Sequence, residues 1–286
     1  MTTIWELDFY SRPMLDENGK KVWEVAICES PTQIDAELAP LFRFAEYCAS
    51  TEINSARLMQ VLKDAIAQAG TPPDRIRFFR QSMKNMITKA CTDLEIPVVL
   101  SRRTYALNQW LQQRLEEVYP QHPGFQPGTT PTVSFAAIAA QPLPDALVGQ
   151  RWAFVSLEAS AFAEMGEWAI DFGEAFPLGL TQVQPNTLIP GLVIFSQRAV
   201  PMAGWMSGLE LGYLTVDEEA PRLILETGVN DRWILANLNN PQLLAEAQNF
   251  EAAKQQADGV HFLAVQTNAD TEAFAGFWLL QETILA

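Results

Sequence analysis

The chain begins with period-two alternation and passes into helical spacing. Over residues 4–12, Trp5, Leu7 and Phe9 fall on one side and Glu6, Asp8 and Tyr10 on the other, which predicts a strand. The polar run 16–20 contains Asn18-Gly19 and predicts a turn into a second strand at 22–28, so the chain opens with a hairpin. A third apolar run, 41–48, fits either a strand or a short helix. Residues 51–69 carry Ile53, Leu58, Val61, Leu62, Ala65 and Ile66 at helical spacing and stop at Gly70. A strand at 75–79, a helix at 83–94, a strand at 98–101 and a helix at 104–118 follow.

If 41–48 is a strand, the order is β-β-β-α-β-α-β-α, which resembles the ribonuclease H-like fold. The string Thr51-Glu-Ile-Asn-Ser-Ala-Arg-Leu-Met59 also resembles the start of that family's first helix. Residues 119–132 hold four prolines and two glycines and predict a linker, because proline fixes φ and removes a hydrogen-bond donor. Three segments result: an N-terminal domain at 1–118, the linker at 119–132, and a second domain at 133–286. The second domain shows strands at 151–157, 192–196, 211–216, 222–226, 233–236 and 260–265. Helices are expected at 241–257 and 271–280. The fold class is thus α/β, with an α+β second half built on a mixed sheet.

Charge separates the halves. Residues 1–127 carry 14 Lys+Arg and 16 Asp+Glu; residues 128–286 carry 5 and 18 of the formal −15. An acidic half repels nucleic acid, so an anion-binding surface is expected on the first half. The 286 residues contain no apolar run long enough to cross a membrane, and the opening octapeptide has no basic-then-apolar signal, so a cytoplasmic location is expected. Cys28, Cys48 and Cys91 are odd in number and unspaced, which argues for buried thiols over disulfides or zinc. Two histidines leave little material for histidine-based catalysis, and no cofactor motif stands out. The glycines of Gly204–Gly212 lack nucleotide-binding spacing and read as turn or bulge positions.

A ribonuclease H-type nuclease needs converging carboxylates around two metal ions. Asp8 lies where such a family places its first acid, but the helix position falls on Arg57 and the fourth-strand position on or beside Arg80. Cations there repel metal, so no two-metal site is expected. Asp8 is then a vestigial acid, either outward-facing or salt-bridged to one of these arginines. Arg75, Arg77, Arg80, Lys84, Arg102 and Arg103 cluster in sequence, with Tyr105 beside them. Side chains at the C-terminal ends of parallel strands gather at one edge. Guanidinium groups grip phosphate in pairs of hydrogen bonds and aromatic rings stack on bases, so these residues are the candidate RNA contacts. A solvated basic face is the ordinary alternative.

Several strings are similar to the Tab/Atab-type family of photosynthetic lineages: Trp5-Glu-Leu-Asp-Phe-Tyr-Ser-Arg-Pro13, Lys21-Val-Trp-Glu-Val25, Arg77-Phe-Phe-Arg-Gln-Ser-Met83, Ser101-Arg-Arg-Thr-Tyr105, Gly149-Gln-Arg-Trp-Ala-Phe-Val155, Gly208-Leu-Glu-Leu-Gly212, Asp231-Arg-Trp-Ile-Leu235 and the terminal Phe277-Trp-Leu-Leu280. The resemblance covers nearly the whole chain. It implies a non-enzymatic protein that binds A/U-rich single-stranded RNA and acts in translation of photosystem subunits and photosystem biogenesis, here without an organellar transit peptide. It does not identify RNA-contacting residues. Two other readings compete: an assembly factor whose acidic second half recruits a translation or photosystem partner, and a degenerate metal-dependent nuclease using Asp8.

Overall fold

The computed structural model describes residues 2–128, 133, 138–144, 147 and 149–285. The chain divides into two compact units. One comprises residues 1–30, 39–134 and 284–286, and the other residues 31–38 and 135–283.

The first unit is built on a five-stranded sheet in the order β3-β2-β1-β4-β5. Its strands are β1 (Ile4–Leu15), β2 (Lys21–Glu29), β3 (Arg43–Cys48), β4 (Arg75–Phe78) and β5 (Val98–Leu100). β1, β2 and β3 pair antiparallel; β4 runs parallel to β1, and β5 parallel to β4. The run at 41–48 is therefore the strand alternative, giving the order β-β-β-α-β-α-β-α. Helix α1 (Ser55–Ala69) starts where Asn54 accepts a hydrogen bond from the Arg57 N–H at 2.9 Å. It ends at Gly70, whose φ of 83° suits glycine at the left-handed turn that closes a helix. Helix α2 (Lys84–Thr92) follows a 3-10 turn, and α3 (Tyr105–Glu117) closes the unit. Trp5, Leu7 and Phe9 pack against Leu58, Leu62 and Ile87 in one apolar cluster on the α1–α2 face.

The predicted linker is not free over its described part. The Leu15 N–H donates to Gly124 O and the Gln126 N–H to Pro13 O, both at 2.8 Å, while Met14 and Phe125 form a β-bridge. Prolines exclude regular structure there but do not prevent packing on the β1–β2 hairpin. Residues 129–132 of that segment lie outside the described residues.

The second unit has two sheets. One has the order β10-β11-β12-β6, from Leu211–Asp217, Arg222–Thr227, Asp231–Asn237 and Gln141–Pro142. The other is β7-β9-β13-β14-β8, from Arg151–Glu158, Leu188–Phe195, Val260–Gln266, Phe274–Gln281 and Ile170–Glu174. Helices α4 (Ala199–Ser207) and α5 (Pro241–Gln256) share a core with both, including Met202, Phe250, Leu214, Leu263 and Trp278. The helix expected at 271–280 is instead strand β14, antiparallel to β13. Phe274-Ala-Gly-Phe-Trp-Leu-Leu is apolar on both sides, so its periodicity does not separate helix from strand; burial of both faces selects strand. Strand β8 and helix α4 were not foreseen. Gly212 lies at the register shift in β10 between Leu211 and Tyr213, as expected of a bulge residue.

Candidate functional site

The polar side of β1 is interior, not solvated. Glu6 and Asp8 are each 1% exposed. Glu6 accepts from Ser30 Oγ and from the Leu107 N–H in the first turn of α3, both at 2.6 Å, so a carboxylate from the sheet caps this helix from outside. The Thr104 side chain makes no capping bond of its own.

Asp8 and Glu24 then organise a buried ionic network. Arg80 donates through Nε to Asp8 Oδ1 at 2.6 Å and through Nη2 to Oδ2 at 3.3 Å. Arg12 links the two acids, reaching Asp8 through Nη1 and Glu24 through Nε, both at 2.8 Å. Glu24 also accepts from Arg114 of α3 and from the Tyr119 hydroxyl, the latter at 2.7 Å. Burial works against the Arg12 charge, but Asp8, Tyr119 and Glu24 outweigh it and hold the guanidinium protonated beyond its ordinary value. Burial likewise raises the Tyr119 hydroxyl, with Glu24 adding to the effect, so it stays a neutral donor. The salt bridge anticipated for Asp8 thus forms with Arg80, joined by Arg12.

The basic candidates divide by position. Arg80 follows β4, and Arg102 and Arg103 follow β5, so the parallel strands bring these three to one sheet end. Lys84, opening α2, lies just beyond Arg80 and is exposed. Arg75 begins β4 opposite Ile4, at the other end of the strand, and is exposed. Arg77 is aligned with Glu6 in mid-sheet and is buried. Arg80 is 4% exposed, covered by the Tyr10 ring at 3.9 Å and the Phe79 ring at 4.9 Å. Arg103 is buried with its guanidinium 5.5 Å from the ring of Tyr105, itself buried, and the Ser101 hydroxyl accepts from the Arg103 N–H at 3.0 Å. Arg102 is half-buried. Arg75 and Lys84 are therefore exposed and Arg102 half-buried, while Arg77, Arg80 and Arg103 are interior cations. Arg57 pairs with Glu46 on a part-exposed surface.

Sequence reasoning missed Arg12, Glu24, Arg114 and Tyr119. One signal was available: Glu24 stands in the apolar run of β2, directly across from Tyr10 on the face that carries Asp8. Among the described residues no group of three or more His, Cys, Asp or Glu side chains is arranged to hold a metal ion. The three cysteines are free and buried; burial pushes the Cys91 thiol up to about 12. In the second unit a cavity of about 330 Å³ is lined by Asp35, Asp171, Glu174, Met165 and Trp168, with no basic residue among the described lining.

Comparison with known proteins supplies what geometry alone does not. Residues 4–114 match the family described as RNA-binding protein Tab2/Atab2 N terminal, and residues 130–281 match RNA-binding protein Tab2/Atab2, C-terminal domain. The chain is 40% identical over 284 residues to Protein TAB2 homolog, chloroplastic, of Zea mays, covering 96% of this chain and 70% of the relative. It is 41% identical over 286 residues to the protein of the same description from Arabidopsis thaliana, covering 96% and 74%. A simian T-cell lymphotropic virus intasome in complex with PP2A regulatory subunit B56 gamma overlaps 41% of this chain and 40% of its own at a TM-score of 0.30 and 15% identity, too little to argue from. The two family matches, successive along the chain and reinforced by the plant relatives, establish that it belongs to the Tab2/Atab2 family of RNA-binding proteins.

Proposed function

We propose that this chain binds A/U-rich single-stranded RNA without cleaving it and acts in translation of photosystem subunits and photosystem biogenesis. We also infer that its first unit is ribonuclease H-like; the strand order β3-β2-β1-β4-β5, with only the first three strands antiparallel, supports this. The observation that carries the non-enzymatic reading is the Asp8–Arg80 pair. A guanidinium stands against the acid that a two-metal nuclease would use, and a fixed cation there opposes metal binding by charge and by volume. Of the basic candidates, the exposed Arg75 and Lys84 and the half-buried Arg102 are those from which phosphate contacts are drawn. A cytoplasmic location belongs to the same reading and is checked by cell fractionation.

Fluorescence anisotropy with a labelled A/U-rich RNA at low and moderate salt tests the proposal. Micromolar binding that weakens with salt, and intact RNA after incubation with manganese, are expected. Absence of binding at micromolar protein, or cleavage abolished by Asp8→Asn, sinks it.

A second reading is favoured by the cavity beside Asp35, Asp171, Glu174 and Trp168. Carboxylates around an indole suit a lysine or arginine side chain, so the acidic second unit would recruit a basic protein partner in translation or photosystem assembly. Co-purification of ribosomal or photosystem subunits that survives ribonuclease treatment supports it. Loss of all partners on that treatment removes it.

A further inference from the structure

From an arrangement absent from the cation clusters of the sequence, we infer that the β3–α3 face of the first unit is a single-stranded RNA surface on which Tyr47 stacks a base and Arg43 meets a phosphate. The inference rests on the RNA-binding function proposed above and gives it a location.

β3 is an edge strand, and Arg43, Ala45 and Tyr47 project to the same side as their β2 partners Cys28, Ala26 and Glu24. This is the side on which Arg114 of α3 meets Glu24. Tyr47 is 43% exposed, so part of its ring is open to a ligand. Its orientation is fixed from below. The Arg114 guanidinium, anchored on buried Glu24, donates to the Tyr47 hydroxyl at 3.3 Å. Burial and the nearby Glu24 raise the phenol above its ordinary value, so the ring stays neutral beside an incoming polyanion.

Arg43 supplies the charge. Its guanidinium lies over the Trp110 ring, 5.6 Å from the centroid, and Arg114 lies over the same ring at 5.1 Å. Arg43 is half-buried and has no carboxylate partner within ion-pair distance among the described residues. That contrasts with Arg80 and Arg12, whose charges are spent inside the fold. Arg43 and Tyr47 stand four positions apart along the extended strand, about 13 Å between their backbones. A pre-oriented aromatic ring beside a pre-oriented, unneutralised arginine is the pairing by which proteins hold unpaired nucleotides: the ring takes a base face and the cation takes the backbone. Because rings accept any base, such a surface favours single strands over duplex without demanding a sequence.

The test is anisotropy with a labelled A/U-rich 20-nucleotide RNA, comparing the unchanged protein with Tyr47→Ala, Tyr47→Phe and Arg43→Gln. Circular dichroism verifies that each variant folds. Tyr47→Ala is expected to weaken binding roughly 5- to 100-fold, and Tyr47→Phe, which keeps the ring, about twofold or less. Arg43→Gln is expected to lower the slope of log affinity against log salt by about 0.7, the value for one phosphate on a single strand. If the unchanged protein binds and Tyr47→Ala binds equally well, this surface is overturned while the RNA-binding function stands. If the unchanged protein fails to bind, both fall together.

Discussion

Arg80 lies in line with Asp8, its Nε 2.6 Å from one carboxylate oxygen and its guanidinium roofed by the Tyr10 ring. Both partners are almost fully removed from water. Breaking such a pair by removing one member typically costs about 3–5 kcal/mol, because a buried charge is left uncompensated. Asp8 serves both Arg80 and Arg12, so Asp8→Ala is expected to lose stability in that range. Arg80→Met should lose less, since Arg12 still holds Asp8. Urea unfolding midpoints of the two variants check the order, and an equal or reversed order refutes it.

Tyr119 ties the segment after α3 to β2 through Glu24. Tyr119→Phe removes one hydrogen bond to a buried carboxylate and is expected to cost about 1.5–3 kcal/mol. The bonds at Gly124 and Gln126 depend on the same docking, so limited proteolysis should cut residues 119–128 faster in the variant. Unchanged cleavage would mean the segment is held without Tyr119.

His261 makes the second unit acid-sensitive. Its Nε2 accepts from the Leu214 N–H at 2.8 Å, and its Nδ1 lies 2.8 Å from Gly259 O, which requires a neutral ring with the proton on Nδ1. Burial, reinforced by the Lys254 ammonium, pushes its pKa well below the ordinary 6.5. The unfolded chain therefore binds a proton near pH 6.5 that the folded chain refuses. By linkage, this contribution is intact above pH 6.5 and is lost as the pH falls below it. Urea midpoints from pH 8 to pH 5 should fall more steeply for the unchanged protein than for His261→Gln, and parallel curves would refute the assignment.

Gly191 in β9 has no room for a side chain. A Cβ there would lie 2.3 Å from the Phe262 ring, which stacks on Phe277 at 5.1 Å. Gly191→Ala is expected to lower stability by about 1–3 kcal/mol through overpacking. Gly166→Ala meets nothing within 4 Å and should leave the melting temperature nearly unchanged, which makes it the control for calorimetry.

Much of the first unit was legible because its strands are half-apolar and its first helix is cleanly capped. Asn54 and Gly70 bound α1, and Asn18-Gly19 turns the hairpin. The ionic network was not legible. On β1 the alternation of Trp5, Leu7 and Phe9 with Glu6, Asp8 and Tyr10 has the pattern of a sheet wet on one side, and only α3, far along the chain, reveals that side as covered. The same limit hid which arginines reach solvent: Arg77 and Arg80 stand three residues apart from each other and near Lys84 in sequence, yet the sheet buries the first two and leaves the third outside. β14 was misread for the opposite reason, since a strand buried on both faces has no periodicity to display.

Glu24 also sets an order in time. Its partners Arg114 and Tyr119 are 90 and 95 residues downstream. At roughly 5–20 residues per second, a ribosome places the acid about 5–20 s before these two partners, whereas Arg12, its third partner, is already made. The hairpin can therefore pair Glu24 with Arg12 as soon as β1 and β2 meet, leaving two of its acceptor positions to water. The ionic network that closes the first unit is completed last, when α3 and Tyr119 emerge to take those positions.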